Sequence, residues 1–136
     1  MLNKIRNYVS NAIAFGKELR DFCTWDFSFN LKLFCRSLEL TRLAMLSESA
    51  VSARASRNAR EIQKFLELIN RYENSIDFAE EELGMSIDDI PWALSERTPE
   101  QEERMDRVCK LSDEIEHKAW NDAMDLLRER MQYWWD

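Results

Sequence analysis

Only two glycines and two prolines punctuate this chain of 136 residues, at Gly16, Gly84, Pro91 and Pro99. A sheet protein of that length reverses direction many times and needs glycine, proline or Asn-Gly pairs to do so. So few breakers leave room for a small number of long helices. With 45% hydrophobic and 33% charged residues, the chain has the balance of a globular protein rather than a disordered one. Its length suits one domain around one sizeable core.

Apolar periodicity places the helices. Leu2, Ile5, Val9, Ala12, Ile13, Phe15 and Leu19 mark a first segment over about 2–21. Gly16 weakens that segment by ~1 kcal/mol without ending it. Phe27, Leu31, Phe34, Leu38 and Thr41 mark a second over about 27–47, with Thr24 and Asp26 as N-cap choices. A third stripe runs from Ala55 through Ile62, Phe65, Ile69, Tyr72 and Ile76 to Ala79. Unbroken over about 51–83, it would be ~45 Å long, so a bend or a projecting end is expected. Gly84 suits the stop. The last helix opens at Thr98, with Pro99 in its first position and Gln101 completing a capping box. Its stripe runs from Met105 through Val108, Leu111, Ile115, Ala119 and Ala123 to Trp134. The expected fold is all-α: a single-domain bundle of about four long helices spanning 1–136. One irregular loop near 84–98, carrying Ile87, Ile90, Trp92 and Leu94, is expected to fold back as a lid.

Charge is divided along the chain. Residues 1–60 carry ten Lys+Arg against five Asp+Glu, and residues 61–136 carry nine against twenty-one. The overall charge of -7 argues against general nucleic-acid binding, which requires phosphate neutralisation. The acidic half is also compatible with imitating nucleic acid for a DNA-binding partner. Cys23, Cys35 and Cys109 are odd in number and lack zinc-knuckle spacing, as expected of reduced thiols in a cytosolic protein. Met1–Phe15 has no continuous apolar stretch of the signal-peptide kind, and nothing approaches the ~18 uninterrupted apolar residues of a membrane span.

Several constellations are chemically suggestive. Arg54, Arg57, Arg60 and Lys64 recur at three- and four-residue steps, which brings much of the cluster to one side of a helix. Guanidinium groups in that array can grip a phosphate or a partner's carboxylates; the plainer expectation is pairing with the acidic last helix. His117, the single histidine, lies one turn after Asp113, an arrangement open to a metal or to a local hydrogen bond. It lacks the Glu-x-x-His repeat of bundle metal sites, and neither metal nor cofactor is expected. Glu103-x-x-Asp106 matches half of the magnesium-binding pattern of all-helical nucleotide pyrophosphohydrolases, but the preceding Glu-x-x-Glu is missing. No phosphate loop, nucleophile elbow or Ser/His/Asp set occurs, so no catalytic residue is assigned. At the C-terminus, Tyr133, Trp134 and Trp135 either pin the helix end to the core or offer an interface to a partner or a second copy. Being adjacent, Trp134 and Trp135 project roughly 100° apart and do not fit one buried seam together.

Two blocks carry a resemblance. "WDFSFNLKLFCRSLE", Trp25 to Glu39, and "EHKAWNDAMDLLRERMQYWWD", Glu116 to Asp136, together resemble blocks in small all-helical proteins of tailed bacteriophages. Trp25, Asp26, Ser28, Glu39, His117, Trp120 and Asp136 are the matching positions, and the two blocks cover about a quarter of the chain. The resemblance implies a phage-encoded protein acting in the cytoplasm of the infected bacterial host, and it implies no activity. The expected function is a non-enzymatic accessory protein that binds and neutralises a host protein or a nucleotide signal of host defence. Arg54, Arg57, Arg60 and Lys64 would form its ligand site, with His117 and Trp120 as secondary contacts. The alternatives are a magnesium-dependent nucleotide hydrolase using Glu103, Asp106 and Asp113, an acidic nucleic-acid mimic, and a self-assembling homo-oligomer.

Overall fold

The computed structural model of the protein describes residues 2–20, 27–47 and 53–134. Thr24, Asp26, Cys23, Trp25, Trp135 and Asp136 lie outside the described residues. The described chain is all-helical, with no strand among the described residues. The helices are α1 (Leu2–Arg20), α2 (Phe27–Ser47), α3 (Ala53–Glu73), α4 (Ser75–Leu83) and α5 (Pro99–Arg130). No helix among the described residues is long and apolar enough to cross a membrane. The chain divides into two compact units, Met1–Gln63 and Lys64–Asp136.

In the first unit, α1 passes through Gly16 without interruption and packs against α2. Arg36 of α2 ties the pair. Its Nε donates to the Ala14 carbonyl at 3.1 Å and its Nη1 donates to Glu39 at 2.9 Å. Leu31 and Leu38, seven residues apart and therefore on one face of α2, are buried. Val9 and Ile13 of α1 are exposed, although the periodicity of that segment counts both toward its apolar stripe. Asn58, Ala59 and Ile62 are the buried residues of α3 in this unit.

In the second unit, the segment over 51–83, for which a bend or a projecting end is expected, is interrupted at Asn74. That residue leaves helical geometry, with φ -120° and ψ 34°. Its side-chain amide donates back to the Asn70 carbonyl at 2.9 Å and to the Asn70 side chain at 3.0 Å. Local side-chain bonds of this kind compete with the helical ladder. Arg71, before the break, pairs with Glu82 beyond it at 3.5 Å and lies over the Phe78 ring at 5.3 Å. One guanidinium thus ties both sides of the break together.

Helix α4 packs on α5. Ala79, Val108 and Ile115 are buried together, with Phe78, Leu83, Met85, Ile87 and Leu111 around them. Beside this apolar cluster, the Ser75 and Ser112 hydroxyls hydrogen-bond at 2.8 Å, and both residues are buried. Small residues at Ser75, Ala79 and Ser112 allow the two helices to approach closely. Gly84 ends α4 in the left-handed region at φ 62°. Its N–H donates to the Glu81 carbonyl and that of Met85 donates to the Glu80 carbonyl, the paired bonds of a Schellman stop.

The start of α5 follows the sequence signal. The Gln101 N–H donates to Thr98 Oγ1 at 3.2 Å, and the Thr98 N–H donates to Gln101 Oε1 at 3.0 Å. Glu100 sits in the same first turn; a backbone N–H and then the Thr98 hydroxyl hold its carboxyl below the usual range. At the other end, the chain tightens into a 3-10 turn over Met131–Tyr133. Trp134 is then buried to 1% exposure, edge-on to Phe65 with centroids 6.0 Å apart.

The serine pair is expected to behave as a unit. Ser112→Ala alone strands the Ser75 hydroxyl and should cost about 1–2 kcal/mol in urea unfolding. Adding Ser75→Ala should cost less than a second such increment; strictly additive losses would show that the two hydroxyls are not coupled. Trp134→Ala should cost about 3–5 kcal/mol by the same measurement, because it empties a filled site against Phe65.

Candidate functional site

Two surfaces carry the residues singled out by the sequence. The first is the outer side of α3. Arg54, Arg57, Arg60 and Lys64 are all exposed there. At 100° per residue, Arg57, Arg60 and Lys64 fall within about 60° of arc, with Arg54 about 60° to one side. Arg54 takes part in an interaction of its own. Arg57, Arg60 and Lys64 form no ion pair with any described residue. The expected neutralisation by acidic side chains is therefore not seen for these three.

The second surface is a shallow groove of about 330 Å³, lined by Tyr72 of α3 and by Asp113, Glu116, His117 and Trp120 of α5. The α5 residues follow the steps i, i+3, i+4 and i+7, which stack them on one helix face. Trp120 and Tyr72 meet with centroids 5.0 Å apart and planes inclined by 43°. Asp113 and Glu116 are exposed and form no ion pair among the described residues. His117 is exposed beside them.

His117 and Trp120 line a groove containing two carboxylates and no arginine or lysine, a poor setting for the anionic ligand they were expected to help bind. Sequence reasoning counted Tyr72 only as a core position and assigned Glu116 no role. The spacing from Asp113 to Trp120 was available to find Glu116; nothing in the sequence pairs Tyr72 with Trp120.

The hydrolase residues Glu103, Asp106 and Asp113 are exposed on α5. Among the described residues, no three His, Cys, Asp or Glu side chains form a group that would hold a metal ion. The aromatic end is divided: Trp134 is committed to Phe65, while Tyr133 is 40% exposed under the Arg130 guanidinium. Ser28 and Glu39, from the first resemblance block, lie on α2, where Glu39 is the ion-pair partner of Arg36.

The segment between α4 and α5 is fastened rather than loose. Glu80 accepts from the Ile87 N–H at 2.6 Å and from the Ser86 hydroxyl at 3.1 Å. Ile90 is buried. Arg97 donates to the Pro91 carbonyl at 2.6 Å and to the Trp92 carbonyl at 3.0 Å. Arg104 of α5 donates to both Asp89 oxygens at 2.7 and 2.8 Å. Met85 and Ile87 pack against the α4–α5 core, while Trp92 and Leu94 are exposed at 97% and 69%.

No protein-family model, curated protein or solved structure matches this chain.

The Asp89–Arg104 clasp has a pH signature. The Arg104 hydrogen bond is the main cause holding the Asp89 carboxyl below its ordinary value. A depressed acid contributes stability above its ordinary pKa and loses it as pH falls through the folded value. The clasp is therefore complete at neutral pH and opens below about pH 4. In an NMR titration, Arg104→Gln should raise the Asp89 midpoint; an unchanged midpoint would remove Arg104 as the cause. Trp92→Ala, by contrast, should change unfolding stability by no more than about 0.5 kcal/mol.

Proposed function

We propose that this protein is a non-enzymatic binding protein that takes an anionic ligand on the exposed basic stripe of α3. The observation that carries the reading is the run Arg57, Arg60 and Lys64, exposed on one side of a helix and without ion pairs among the described residues. The run extends over seven residue steps, about 10 Å of helix, enough to engage two or three anionic groups at once. Arginine suits that task, because its planar fork meets phosphate or carboxylate with paired hydrogen bonds. Leaving three cations together on a helix face forgoes the favourable i,i+4 pairing that neighbouring acids would provide.

The biological setting rests on the resemblance of the Trp25–Glu39 and Glu116–Asp136 blocks to tailed-phage proteins. In that setting the ligand is an acidic host protein or a nucleotide signal of host defence, and the protein acts by sequestering it in the bacterial cytoplasm.

Native mass spectrometry of the protein purified from phage-infected bacteria tests the reading. The expected result is a retained nucleotide-sized mass or an acidic protein, lost from the triple variant Arg57→Gln, Arg60→Gln, Lys64→Gln. Since all three side chains are exposed, the variant should fold, which circular dichroism checks. A triple variant that keeps every bound species would overturn the assignment.

A further inference from the structure

The groove on α5 has the opposite chemistry to the α3 stripe. Two aromatic side chains line it, Tyr72 and Trp120, which touch one another with planes inclined by 43° and centroids 5.0 Å apart. The face of an aromatic ring attracts a cation through its quadrupole, and both rings contribute surface to the groove. Its rim carries Asp113 and Glu116, which form no ion pair among the described residues. Elsewhere on α5 acids do take basic partners: Lys118 pairs with Asp122 at 2.9 Å and Arg128 with Asp125 at 2.9 Å. The groove's acids are left without such partners beside two aromatic rings. At about 330 Å³ the groove is at the small end of the range for ligand sites, and it opens to solvent.

We infer that the Tyr72–Trp120 groove, with Asp113 and Glu116 at its rim, is a binding site for an alkylammonium group. The methylenes or methyls beside the positive nitrogen rest on the two rings. The ammonium is balanced by the two carboxylates, and the His117 ring lies next to them. Both a free polyamine and a lysine side chain of a basic protein segment present this chemistry. The inference does not depend on the anionic ligand proposed for α3, and failure of one leaves the other standing.

The full-length protein, labelled with nitrogen-15, is titrated separately with spermidine and with an end-capped trilysine peptide at constant ionic strength. The Trp120 indole N–H and the His117 ring are the reporters. The expected result is a saturable shift of both, with inorganic phosphate leaving them in place. Asp113→Asn together with Glu116→Gln should weaken binding by about tenfold or more. Both residues are exposed, so the double variant should keep the thermal unfolding profile of the parent. Tighter binding of spermidine identifies a free polyamine as the ligand, and tighter binding of the peptide identifies a lysine side chain. No saturable shift from either probe up to about 10 mM overturns the inference. So does an undiminished shift in the double variant.

Discussion

The hydrogen bond between Ser75 and Ser112 sets the spacing on which the rest of the second unit depends. Two buried hydroxyls satisfy each other at 2.8 Å, which lets α4 lie close on α5 without an orphaned polar atom. Its consequences extend to the surface. Ser75 is three residues after Tyr72, and Ser112 immediately precedes Asp113. The same contact that joins the helices therefore fixes the Tyr72 end of α3 against the α5 turn that carries the groove. The apolar cluster of Ala79, Val108 and Ile115 supplies the burial, and the serine pair supplies the register.

The chain carries two chemically opposed surfaces. On α3, three cations stand together without acidic partners among the described residues. On α5, two carboxylates stand beside an aromatic pair. Trp92 adds a third exposed feature, on a stretch of backbone whose Pro91 and Trp92 carbonyls accept from the Arg97 guanidinium.

Much of the local structure was readable in advance. The Thr98–Gln101 capping box and the Gly84 stop appear where the residue types require them, because both motifs are satisfied within a few residues of chain. The fourteen-residue interval from Trp120 to Trp134 anticipated that the two aromatics face the same way; Trp120 of α5 meets Tyr72, and Trp134, beyond the end of α5, meets Phe65, seven residues from Tyr72 on α3. The break at Asn74 was less legible. A bend was expected somewhere in 51–83, but the apolar stripe runs through Asn74 without losing phase, and the deciding bonds are to Asn70. Ser112 escaped notice because a polar residue does not count toward an apolar stripe, although it is buried in the middle of one. The 84–98 segment was expected to fold back with Ile87, Ile90, Trp92 and Leu94; tertiary packing buries Ile90 and leaves Trp92 outside.

Sequence alone determined the all-helical class, the caps and the stops, the separation of charge between the two halves, and the basic run on one helix. All of these follow from interactions between residues near one another in the chain. Only the tertiary structure decided that Tyr72 belongs with Trp120 and that Ser75 belongs with Ser112. Those relations join residues 37 to 48 positions apart. Local periodicity says which face of a helix is apolar, but the partner that face meets is chosen by the packing of side-chain shapes across the core.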